Sequence, residues 1–68
     1  MQLTRNHWIE AALQTLGRRG VEAVRIEVLA RELGVTKGSF YWHFKDRDDL
    51  LEAMVSAWEE ETRALQEE

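Results

Sequence analysis

A chain of 68 residues without cysteine has room for one small core, and it excludes both disulfide staples and thiolate metal sites. Its 44% hydrophobic residues suffice for a small all-helical packing, yet no stretch approaches the roughly 18 apolar residues of a membrane span. The net charge of −4 speaks against nucleic acid only until it is divided: residues 1–47 carry +3, eight Lys and Arg against five acids, and residues 48–68 carry −7, one Arg against eight acids. What matters for a polyanionic partner is the field at the contacting face, so the basic front of the chain outweighs the total.

In chain order, the opening MQLTRNHWIEAAL is polar where a signal peptide would be apolar, giving the expectation of a cytoplasmic protein with no membrane partner. Trp8, Ile9, Ala12, Leu13 and Leu16 recur at helical spacing and predict a first helix over about 5–17. Thr4 or Asn6 is expected to cap its start, and the run from Gly17 to Gly20 to end it. Ile26, Leu29, Ala30 and Leu33 stand at i, i+3, i+4 and i+7, one buried face of a second helix that Gly34 stops. Thr36 suits the N-cap of a third helix, over about 36–43, with Phe40 and Phe44 on one side. Asp46 suits the N-cap of a fourth, with Asp48 and Asp49 in the first turn, where the helix dipole favours negative charge. The inner stripe of that helix is expected to be Leu50, Leu51, Met54, Val55, Trp58 and Leu65. Strand signals are absent, and so are proline, internal repeats and low-complexity linkers. The fold expected is all-α: a three-helix helix-turn-helix bundle of homeodomain-like type over 1–46, and a fourth helix over 47–68.

The segment from Ile26 to Phe44 has the means to turn sharply. Ala30 allows close approach between two short helices, and Gly34 supplies a turn residue without a Cβ. With Leu29, Leu33, Val35 and Phe40 plugged into the core, the third helix is pushed outward, able to enter a major groove about 12 Å wide. Its outward residues Thr36, Lys37, Ser39, Tyr41, Trp42 and His43 are hydrogen-bonding or amphipathic rather than the Glu, Lys and Gln of a merely solvated face. Two large aromatics on the outside of so small a domain call for a partner to cover them.

The run LGVTKGSFYWHF at 33–44, followed by KDRDDLL at 45–51, resembles the signature of the TetR family of transcriptional repressors, and the likeness extends from about Trp8 to Trp58. The resemblance implies that Thr36 opens the recognition helix and touches phosphate, and that Lys37, Gly38 and Ser39 reach base edges or thymine methyls. It further implies a phosphate-binding hydroxyl at Tyr41 and sugar-phosphate or base contacts from Trp42 and His43. Arg47 occupies a position where the family usually has a phosphate-contacting lysine. Arg25 departs from the family, which has Thr or Ser there as a helix cap; its charge is instead available to a phosphate. Together Arg25, Tyr41, Lys45 and Arg47 are expected to clamp phosphates around the inserted helix.

Two or three base-reading side chains give little specificity per half-site, so a homodimer on a palindromic double-stranded operator is the expected partner arrangement. The resemblance also implies a small-molecule inducer bound in a C-terminal domain. The fourth helix looks cut in mid-course at Gln66, Glu67 and Glu68, so the chain is expected to be a fragment lacking that domain, unable to sense ligand and poor at dimerising.

Plainer uses compete at several positions. Ser39, His43 and Asp46 can be written as a catalytic trio, but so short a chain encloses no oxyanion hole, and no enzyme is expected. His7 and Glu10 offer only two metal ligands, fewer than a site needs, and no cofactor is called for. Trp8 and Trp58 are read as core residues. Trp42 is divided between DNA contact and packing on the first helix, Lys37 between base contact and a solvated surface, and Tyr41 between phosphate contact and a core ring. Two rival functions remain: a protein-interaction module using the acidic helix 47–67, and a helix-turn-helix protein that binds DNA without base preference.

Overall fold

The computed structural model describes residues 3–66. Its first helix, α1 (Arg5–Arg19), starts at Thr4, whose extended backbone lets its N–H donate to Nδ1 of His7 at 2.9 Å. The His7 N–H in turn reaches the Thr4 carbonyl at 3.1 Å, so the third helical residue closes the helix end. The helix runs through Gly17 and stops at Gly20, where φ of 89° breaks the ladder. A single turn of 3-10 helix at Val21–Ala23, not foreseen from the sequence, carries the chain round the corner. It leads to α2 (Ile26–Leu33), whose bounds are those the apolar spacing predicts.

Gly34 then adopts φ 72°, ψ 31°, the left-handed conformation that L side chains avoid. Its N–H donates to Arg31 O at 3.2 Å and the Val35 N–H to Ala30 O at 3.0 Å, the paired bonds of a Schellman motif. The α-helical part of the third helix, α3 (Lys37–Phe40), is four residues long, shorter than expected. Beyond Phe40 the chain tightens: Tyr41, Trp42 and His43 donate to Gly38, Ser39 and Phe40, each three residues back, at 3.0–3.3 Å. None of residues 41–43 is buried, so nothing holds them to the wider α geometry, and helix ends without such support contract to this form.

The last helix, α4 (Arg47–Gln66), has the Asp46 cap expected: Oδ1 of Asp46 accepts the Asp49 N–H at 2.9 Å, and Oδ2 of Asp49 accepts the Lys45 N–H at the same distance. One core joins all four helices. Trp8, Ile9 and Ala12 of α1 meet Leu29 and Ala30 of α2, Phe40 and Phe44, and Leu50, Ala53 and Met54 of α4. Val24, fully buried at the corner before α2, completes it. At its centre Phe40 takes the edge of Trp8 at 5.4 Å and stacks on Phe44 at 5.1 Å. Buried Thr15 donates through Oγ1 to the Glu32 carboxylate at 3.2 Å and ties α1 to α2.

The expected inner stripe of α4 holds only in its first two turns. Val55, Trp58 and Leu65 are exposed, Trp58 by 60% and Leu65 by 73%. A 20-residue helix is about 30 Å long, whereas the molecule measures only 24 Å and 21 Å across its two shorter axes. The longest axis is 40 Å, so α4 lies along the molecule, where Leu13, Leu16 and Val21 edge a groove beside Trp58 without covering it, and Trp58 is not a core residue.

Candidate nucleic-acid interface

Phe40, four residues into the segment that starts at Lys37, is the anchor. With its ring fully buried, the neighbours on either side along the chain are forced outward. Lys37 and Gly38 are exposed and Ser39 is half-buried. Tyr41 is 52% exposed and sets its ring perpendicular to Phe40 at 5.1 Å, so it touches the core ring while about half of it stands in solvent. Trp42 is 86% exposed, and His43 is half-buried beside it. Partial packing of Trp42 on α1 is thereby excluded as its main use. Thr36 makes no side-chain cap bond; its carbonyl accepts the Ser39 N–H at 3.1 Å.

An open cleft separates this segment from the start of α1, lined by Leu3, Thr4, Arg5, Val35, Ser39, Trp42 and His43. The participation of Thr4 and Arg5 is not legible in the sequence, because they lie 38 and 37 residues from Trp42 and only folding brings them near. Arg5 holds its guanidinium 5.0 Å from the Phe44 ring centre, a cation–π contact that fixes a positive charge at the edge of the exposed segment.

The flanking basic residues divide. Lys45 is exposed, with only its backbone N–H engaged by Asp49. Arg25, at the N-cap position of α2, is exposed and spends Nε on Glu22 O at 3.1 Å. Arg47 departs from expectation: it is half-buried, with Nε donating to Val24 O at 2.7 Å and Nη2 to Val21 O at 2.9 Å. Two of its five N–H donors are thus engaged by backbone carbonyls, which leaves Arg47 less free than Arg25 or Lys45 to turn toward a phosphate. The other pairings weighed from the sequence find different employment. Asp46 is a helix cap rather than the acid of a Ser39–His43 trio, and His7 Nδ1 is occupied by Thr4. Among the described residues no group of three or more His, Cys, Asp or Glu is placed to hold a metal ion.

Two helices turned by a left-handed glycine, the second held outward by one buried ring and faced with lysine, hydroxyls and exposed aromatics, define a helix-turn-helix domain of the DNA-binding class. The model of the bacterial regulatory proteins of the tetR family matches residues 9–54, and the chain belongs to that family. Over 50 residues it is 42% identical to the HTH-type transcriptional regulator AcrR of Shigella flexneri, covering 74% of this chain and 23% of that protein. It is 37% identical over 59 residues to the regulator TtgR of Pseudomonas putida, covering 87% and 28%. With the class D tetracycline repressor protein of Escherichia coli it shares 36% identity over 54 residues, covering 79% and 25%. The matched part of the chain thus spans about a quarter of the length of each of these three relatives.

Proposed function

We propose that this chain is the DNA-reading part of a bacterial transcriptional repressor that acts without catalysis, in the cytoplasm, as a homodimer on a palindromic double-stranded operator. The reading rests on one observation above all: Lys37 projects into solvent from a four-residue helix anchored by Phe40, and Tyr41 and Trp42 project from the turn that follows it. In the major groove, Lys37 donates to guanine O6 or N7, Ser39 hydrogen-bonds a neighbouring edge, and Gly38 lets the backbone approach closely. The hydroxyls of Thr36 and Tyr41 and the charges of Arg25 and Lys45 bind phosphates, while Trp42 and His43 lie against sugar-phosphate or a base. The acidic distal part of α4, with Glu59, Glu60 and Glu61 exposed, stays away from the duplex.

In the parent protein α4 leads into a C-terminal domain that dimerises and binds a small-molecule inducer, which alters the spacing of the two DNA-reading heads. Two features support that reading. The named relatives include a tetracycline repressor about three times as long, and Leu13, Leu16, Val21, Leu51, Met54, Val55 and Trp58 line an apolar groove along α4 that a monomeric domain leaves open. Titration of duplex DNA at several salt concentrations tests the function. Neutralising three to four phosphates gives a log–log slope of about −3. A flat response would assign the exposed face to a protein partner instead.

A further inference from the structure

Four consecutive carbonyls at the corner between α1 and α2 are claimed in an orderly way. Val21 O accepts the Val24 N–H at 3.1 Å and Nη2 of Arg47 at 2.9 Å. Glu22 O accepts Nε of Arg25, Ala23 O the Arg25 N–H at 2.9 Å, and Val24 O accepts Nε of Arg47. Arg47 thus reaches back 23 and 26 residues, from the first position of α4, to grip the residue immediately before Arg25. Beneath the grip lies the fully buried Val24 side chain. Arg25, Arg47, Glu22, Ile26 and Glu27 line one shallow hollow at this corner.

We infer that Arg47 is a positioning residue for DNA binding: it sets the 3-10 turn and thereby the place from which Arg25 meets phosphate, rather than meeting phosphate itself. The inference rests on the proposed DNA-reading function and specifies how one flank of that surface is built. Its physical basis is that two acids, Glu22 and Glu27, share the hollow with Arg25, so they compete with DNA for an Arg25 guanidinium free to wander. Holding Val21 and Val24 from α4 leaves Arg25, itself pinned through Nε to Glu22 O, only its two terminal nitrogens and one direction to offer. The planar fork of arginine spans two carbonyl oxygens, and the single nitrogen of lysine on its flexible stem does not reproduce that geometry.

The test compares Arg47→Ala, Arg47→Lys, Arg25→Ala and the double variant R25A/R47A, in duplex titrations at several salt concentrations, at a temperature where each is fully folded. Positioning predicts that R47A and R47K both weaken binding about tenfold and both lower the salt slope as R25A does. Adding R47A to R25A then costs much less than R47A alone. Without DNA, both Arg47 variants exchange the amide hydrogens of Val24 and Arg25 faster than wild type. Direct phosphate contact by Arg47 would instead leave R47K with the wild-type affinity and slope and make the losses of R25A and R47A add, and that result overturns the inference. A lowered melting temperature with unchanged affinity also overturns it, leaving Arg47 as a brace for the fold alone. Failure of the wild-type chain to show salt-dependent binding is seen before any variant is made, and it overturns the function on which the inference rests.

Discussion

The recognition segment and the distal part of α4 each expose a tryptophan, and the two sit in opposite company. Trp42 stands two residues beyond a fully buried phenylalanine, among Lys37, Ser39, Tyr41 and His43, on a turn whose backbone is tied by successive short-range hydrogen bonds. Trp58 stands on a regular helix beside an open apolar groove, among Leu16, Val21 and Val55. An exposed aromatic ring surrounded by hydrogen-bonding groups suits a charged, grooved partner that is itself half polar. An exposed ring in an apolar trough suits another protein surface. Exposure alone therefore says little about function; the chemistry of the surrounding residues distinguishes the two patches.

The largest way to break this contrast is to remove the anchor under one side of it. Phe40→Ala deletes the ring shared by Trp8 and Phe44 and is expected to cost about 3–5 kcal/mol. In so small a domain that abolishes cooperative melting at room temperature; a retained sharp transition in circular dichroism would mean that the recognition segment is not supported by this ring. Next in size, Lys37→Ala is expected to lower affinity for the preferred site by about 1–3 kcal/mol and relax base preference, while Tyr41→Phe weakens all duplexes alike. Competition binding over a set of altered sites separates them, and identical effects on every site would remove direct readout by Lys37.

Gly34→Ala tests the turn between α2 and α3. A Cβ at Gly34 meets nothing within 4 Å, so the cost is conformational, about 1–2 kcal/mol for a left-handed alanine. The melting temperature should fall by about 4–8 °C for each kcal/mol, and an unchanged value would show that the motif tolerates another geometry. Smallest in stability and sharpest in contrast are the two tryptophans. Trp42→Ala and Trp58→Ala should each shift unfolding by less than about 0.5 kcal/mol, yet only the first should weaken duplex binding. Equal losses in the DNA titration would erase the distinction between the two patches.

Much of the fold is local and was legible before the coordinates. The spacing of Ile26, Leu29, Ala30 and Leu33, a glycine directly after them, and an acid two residues ahead of the Asp48–Asp49 pair mark α2 and α4 by features that act within a turn or two of helix. The outward face of the recognition segment followed from the same arithmetic, since fixing Phe40 inward leaves Lys37, Tyr41 and Trp42 little choice. The length of α3 was less legible, because four residues gain little from propensity and depend on whether burial continues beyond them.

Periodicity and capping chemistry in the chain alone determined an all-helical domain, its glycine turn and the residues that face out from it, because those forces operate between near neighbours. Three matters were decided only by tertiary structure. Val24 became core because the 3-10 turn leaves it buried before α2, Arg47 found carbonyl partners 23 and 26 residues away, and Trp58 stayed largely in solvent because Leu13, Leu16 and Val21 only edge the groove it lines. A hydrophobic stripe states which way side chains point, and a lone arginine states only its charge. Whether anything lies opposite either one depends on where distant parts of the chain come to rest.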